Sequence, residues 1–336
     1  MRLYKQHPLY KSLFYHRNVA MNIEILRGFA LLFFPVIFVI AVGFWFGRVH
    51  RQFDVTIASK MTIYVFSPFM VYRLFKTGNL NWGEISQFAM LFILIQALLI
   101  LYLLFIKRIN RQPIDLWKNN VLSLMFANCG GYGLPVIALA FGDQHLLIAA
   151  QYVVMFNLML STLGIIMASP HSVSFKGTIQ KIFRLPVIWG VIFGLLAHYA
   201  SAQYPAIGNS LLIGILDKMS ENLYHATFPL FLVVIGMELS RIPFQYAWKE
   251  VVFLVSHKLI LFPLFALGIL MLWPGVPVPV IQVMVLETAM PTAFNAMLFS
   301  KEFEGNMLRT SSSVFWTTLL SPITLSLFLW FLQYKI

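Results

Sequence analysis

The chain has 336 residues, of which 60% are hydrophobic and 11% charged, with a formal net charge of +12. A soluble domain carries roughly 45–50% apolar and about 25% charged residues, so this composition excludes a water-facing exterior and requires an outer surface that meets membrane lipid. Its Lys and Arg residues are scattered through short gaps rather than gathered on one face, so no nucleic-acid partner is expected. Cys129 is the one cysteine, which excludes an intramolecular disulfide.

Residues 1–20 are polar, basic and aromatic, and read either as a short tail or as a mis-assigned start, with Met21 a second start directly before the first apolar run. Crossing ~30 Å of hydrocarbon takes about 20 apolar residues in a helix. Runs of that kind fall at residues 26–47, 55–75, 85–106, 119–141, 145–167, 186–202, 208–237, 248–273, 279–299 and 311–333. Lipid offers no partner to an open strand edge, so all are expected to be helical. The class is an all-α membrane protein with about ten transmembrane helices, and a bacterial inner (cell) membrane is the expected location. Fourteen Lys and Arg residues follow the odd-numbered runs and nine lie on the other side, the N-terminal segment included. The excess places the odd-numbered loops in the cytoplasm.

Prolines recur along the chain at near-constant intervals. Pro35 and Pro186 open the first and sixth runs, Pro68 and Pro229 interrupt the second and seventh, and Pro135 and Pro291 interrupt the fourth and ninth. This predicts two five-helix repeats, residues 21–170 and 171–336, joined near residues 170–185. An odd number of helices per repeat inverts the second copy, a plan common among secondary transporters.

The fourth run contains Asn128-Cys129-Gly130-Gly131-Tyr132-Gly133-Leu134-Pro135. Gly weakens a helix by ~1 kcal/mol and Pro by ~3 kcal/mol, so the helix is expected to break there. The ninth run carries Glu287-Thr288-Ala289-Met290-Pro291-Thr292-Ala293-Phe294-Asn295, with its break equally central. Unravelled backbone inside a membrane must line a cavity or pack on protein. Two such breaks at matching positions of inverted repeats mark a midplane binding site. Freed N–H groups and half-helix N-termini favour an anionic ligand. The substrate-binding candidates are therefore Asn128, Gly131, Gly133, Pro135, Pro291 and Asn295.

These segments resemble the auxin efflux carrier family. Asn128 to Pro135 is similar to its helix-4 crossover signature, and Glu287-Thr288-Ala289-Met290-Pro291 to the plant carriers' Gln-Ala-Ala-Leu-Pro. Phe299-Ser300-Lys301-Glu302-Phe303 and Ser321-Pro322-Ile323-Thr324-Leu325 are also similar to family segments. The chain lacks the long cytoplasmic loop of many plant members and resembles a short microbial relative, with Glu287 where the plant carriers have Gln. The resemblance implies crossing helices 4 and 9, a scaffold of helices 1, 2, 6 and 7, a mobile domain of the rest, and transport of organic carboxylates.

Glu287 and Lys258 are the ionisable residues expected deep in the spans, at similar depth on neighbouring helices. They read either as a static ion pair tying two helices together or as a substrate- or proton-linked switch. Asn157 and Gln96 are expected to join helices by hydrogen bonds. Gly43 with Gly47, and Gly190 with Gly194, are expected to bring helices close. The histidines form no metal-binding spacing, and no cofactor is expected beyond proton or sodium coupling. The expected function is a secondary transporter (permease) for a small organic anion, working by alternating access, with lipid around it and a homodimer as an open possibility. The alternatives are a membrane ligand sensor on a transporter scaffold and an intramembrane enzyme.

Overall fold

A computed structural model describes residues 33–168, 180, 183–242, 248–302 and 306–336. The 1–20 segment, the start of the first run and most of the expected junction near 170–185 lie outside the described residues. The described chain forms α1 (Phe33–Val49), α2 (Val55–Thr77), α3 (Trp82–Ile109), α4 (Ile114–Met125), α5 (Cys129–Phe141), α6 (Leu146–Ala168), α7 (Pro186–Gln203), α8 (Leu211–Leu239), α9 (Trp248–Leu272), α10 (Val278–Ala289), α11 (Phe294–Glu302) and α12 (Met307–Tyr334). Of these, α2, α3, α8, α9 and α12 are long and apolar enough to cross a membrane. Large apolar side chains such as Leu101, Phe105, Ile323 and Leu327 point outward, as an integral membrane protein requires.

Several helices start on polar caps. The Asp54 side chain accepts from the Thr56 N–H, and Asn81 from those of Gly83 and Glu84. Hydrogen bonds from Thr56, first from its side chain and then from its N–H, hold the Asp54 carboxyl below its ordinary pKa. Asn306 caps α12 by accepting from the Arg309 N–H. Each cap satisfies a backbone donor that the first helical turn leaves free.

Prolines reshape the helices more gently than expected. Wide, π-type turns occur at Thr62–Phe66, Cys129–Gly133 and His257–Leu261. Each is followed within two residues by a proline, namely Pro68, Pro135 and Pro263. Proline lacks an N–H and its ring crowds the preceding turn, so the turn before it widens. In α2 the Ser67 hydroxyl donates to the Thr62 carbonyl at 2.8 Å, within the widened turn. Two expectations need correction here. Pro229 lies inside α8, which continues through it. Pro135 opens the regular part of α5 after the widened turn, and the chain break lies upstream at Phe126–Asn128.

Small residues let backbones touch, as expected. A methyl group at Gly43 would strike the Val233 carbonyl, and one at Gly236 the Ile40 carbonyl, so α1 and α8 are in backbone contact. Gly190 and Gly194 do the same for α7 against Pro68 and Tyr72 of α2. Arg241, just past α8, donates to the carbonyls of His50, Arg51 and Phe53 and binds the loop after α1 to this group.

Candidate functional site

Helix α4 ends at Met125 and α10 ends at Ala289, and the two chain breaks that follow lie against each other. The Asn128 N–H donates to the Pro291 carbonyl at 2.8 Å, and the Ala293 N–H donates to the Phe126 carbonyl at 2.8 Å. Ala127 and Thr292 thus form an isolated antiparallel bridge. Backbone groups freed from two helices satisfy one another, the requirement that keeps irregular backbone stable away from water.

A polar stripe on α12 braces this crossing. The Thr292 N–H donates to Thr317 Oγ1 at 3.0 Å, and Thr292 Oγ1 donates to the Ser123 carbonyl at 2.6 Å and lies 2.9 Å from Ser313 Oγ. Sequence reasoning missed Thr292, Ser313 and Thr317. The available signal was the spacing of Ser313, Thr317 and Ser321 four residues apart, one polar stripe on an apolar helix.

Beside the crossing lies a cavity of about 350 Å³. Its walls include Asn128, Gly131 and Asn295 of the expected binding set, with Ser59, Asn157 and Glu238. The crossing thus brings Asn128 and Asn295, 167 positions apart in the chain, to one space. Helices α5 and α11 both begin at this crossing, and the first N–H groups of any helix lack intrahelical partners. Gly133, Pro135 and Pro291 are not among the lining residues. Pro291 supplies its carbonyl to the crossing, and Pro135 is buried in α5.

Gly133 serves a different contact. A methyl group there would collide with the Glu287 carboxylate. Glu287 is fully buried, and neither carboxylate oxygen has a hydrogen-bond partner. Lys258, also buried, lies in the widened turn of α9 and donates to the Thr288 carbonyl at 3.4 Å. It comes within one residue of Glu287 along α10, and the ion pairs among the described residues do not include the two together. Gln96 and Tyr152 extend the polar cluster, with Gln96 Nε2 donating to the Tyr152 hydroxyl at 3.2 Å and that hydroxyl lying 3.4 Å from Thr288 Oγ1. Gln96 therefore joins helices as expected, while the Asn157 amide bonds within its own helix, to the Val153 carbonyl.

Sequence reasoning also missed Glu238. This buried residue near the end of α8 lines the cavity and accepts from the Ser59 hydroxyl at 2.7 Å. It lies just past the end of the 208–237 run, outside the spans read from the sequence. At the opposite helix ends a second cavity, of about 520 Å³, is lined by Arg73, Asn81, Glu84, Asp143 and Tyr224, with the Tyr224 hydroxyl donating to Asp143 at 2.8 Å.

Residues 169–329 match the model of a family described as membrane transport protein. That segment is just under half of the chain, and over it the chain is similar to this membrane transport family. It is also 25% identical over 213 residues to a protein of Methanothermobacter thermautotrophicus (strain Delta H) described as an uncharacterized transporter. That match covers 63% of this chain and 66% of the relative, just under two thirds of the relative's length. Both matches support the resemblance to the auxin efflux carriers.

Proposed function

We propose that this protein is a secondary transporter that moves a small organic anion, a carboxylate, across the membrane by alternating access. The observation that carries the reading is the pair of broken helices crossing at Asn128–Pro291 and Phe126–Ala293 beside a cavity that holds both Asn128 and Asn295. An Asn amide offers two donors to a carboxylate, and half-helix N-termini add a favourable field for an anion. The transport family and the transporter relative agree with movement of a solute rather than with catalysis.

The matching breaks also support the finer plan of two inverted five-helix repeats, 21–170 and 171–336, making ten spans. In that plan α1, α2, α7 and α8 form the scaffold, and the crossing moves against it. The lining of the 350 Å³ cavity reaches Ser59, Leu185, Glu238 and Phe299. These lie at helix ends on the face of the odd-numbered loops, which the Lys and Arg excess assigns to the cytoplasm. The cavity is then the inward-facing form of the site. Proton or sodium coupling runs through Glu287, whose unpartnered carboxylate adjoins the crossing at Gly133.

The decisive test is ligand binding by Asn128→Ala. A panel of small carboxylates is screened by thermal stabilisation of the purified protein, since a ligand of the folded state stabilises by mass action. The variant should keep its unliganded melting temperature and lose about tenfold in apparent affinity, equivalent to ~1.4 kcal/mol. Unchanged affinity in a folded variant would make Asn128 structural and remove the main support for this site.

A further inference from the structure

The acidic wall of the cavity carries information that the crossing does not. Among the described residues that line the cavity there is no Lys, Arg or His, and Glu238 is the acidic one. Its carboxylate is held by the Ser59 hydroxyl across from α2, and none of the ion pairs among the described residues involves it. A buried carboxylate is costly unless an opposite charge compensates it. In this cavity the missing countercharge can arrive with the occupant. The remaining walls are largely apolar, with Met70, Phe156, Leu160, Phe231, Ile235 and Phe294 among them. About 350 Å³ is near the lower end of ordinary ligand pockets, which run from about 300 to 1,000 Å³.

The geometry points to a zwitterionic substrate, an amino acid with an apolar side chain, whose ammonium group is held by Glu238 while its carboxylate meets the crossing at Asn128 and Asn295. This assignment rests on the carboxylate reading above, keeping its carboxylate group but replacing a net anion by a net-neutral zwitterion. Glu238 is then a specificity-determining residue. A simple carboxylate would leave it without a countercharge, and a dicarboxylate would set like charges against each other. Ser59 fixes one oxygen of Glu238 and thereby orients the carboxylate. The apolar wall takes the side chain.

Matched probes differing only in the ammonium group test the assignment on the full-length purified protein. Alanine is compared with propanoate, leucine with 4-methylpentanoate, and phenylalanine with 3-phenylpropanoate, by thermal stabilisation at fixed ionic strength. The expected result is that at least one amino acid half-saturates at a concentration about tenfold below its partner, because a site built around a donor rejects the analogue that lacks it. Glu238→Gln keeps an oxygen to accept from Ser59 and should erase that preference by weakening the amino acid alone, and Glu238→Asp should keep part of it. In native protein, binding of the plain carboxylates as tight as that of every amino acid overturns the Glu238 assignment and leaves carboxylate transport standing. The assignment also fails if the preference persists unchanged in a folded Glu238→Gln protein. It fails too if sodium chloride, but not potassium chloride, stabilises native protein through Glu238 with no preference among the organic probes. Conversely, 2-phenylethylamine binding as tightly as phenylalanine, with no effect of Asn128→Ala, would sink the carboxylate reading and keep the acidic wall. Where Glu238→Gln does not fold, the comparison within native protein decides alone.

Discussion

The contact of Gly133 with Glu287 is the most constrained single contact of the site. A methyl group at residue 133 has no room, because the neighbouring atoms are a buried carboxylate on a packed helix. Overpacking of this kind typically costs about 1–3 kcal/mol. Gly133→Ala should lower the melting temperature in detergent, and Gly133→Ala with Glu287→Ala should recover part of the loss. A double-mutant cycle reads the coupling directly, and strict additivity would place the two groups apart. Glu287 has a further consequence for transport. A buried carboxylate with no hydrogen-bond partner is stabilised further when a cation binds it directly. If that cation is a proton, uptake into proteoliposomes should respond to an imposed pH gradient, and Glu287→Gln should exchange substrate without responding. Equal responses from both proteins would assign the residue to structure alone.

Among the elements, α12 was the least expected contributor. Its sequence looks like one more apolar span, yet its inner face carries the hydroxyls that receive the crossing. Thr317→Val keeps the shape and removes the acceptor of the Thr292 N–H. An unsatisfied buried donor costs about 1–3 kcal/mol, so the variant should melt earlier than native protein while Thr317→Ser stays close to it. Valine and serine variants of equal stability would show that the Thr292 N–H finds another partner. The breaks themselves were legible from Gly and Pro content. Their exact place was not. Pro135 marked the segment, but the chain leaves helical geometry at Phe126–Asn128, where the pairing with Pro291 and Ala293 competes with the helical ladder.

For the molecule as a whole, sidedness has a direct readout. Ser59 lines the cavity at the start of α2, on the face assigned to the cytoplasm. With Cys129→Ser as background, Ser59→Cys should react several-fold faster with a membrane-impermeant thiol reagent supplied from the cytoplasmic side of oriented vesicles. Substrate in the medium should slow the reaction. Faster labelling from outside would invert the topology derived from the Lys and Arg distribution. The glycine contacts join α1 to α8 and α7 to α2, the four helices proposed as the scaffold.

By itself the sequence determined the environment, the secondary structure and the location of the unusual backbone. Those follow from local properties: apolar run length, the missing N–H of proline, and the weak helix propensity of glycine. It also singled out Asn128, Asn295, Glu287 and Lys258 through their depth in apolar runs. Only the tertiary structure decided which of these meet. Asn128 and Asn295 share a cavity, whereas Lys258 bonds to a backbone carbonyl beside Glu287. It also turned Glu238 from a flanking residue into part of the cavity wall. The physical reason is that a buried polar group takes whichever partner packing brings within hydrogen-bond reach, and packing joins residues far apart along the chain.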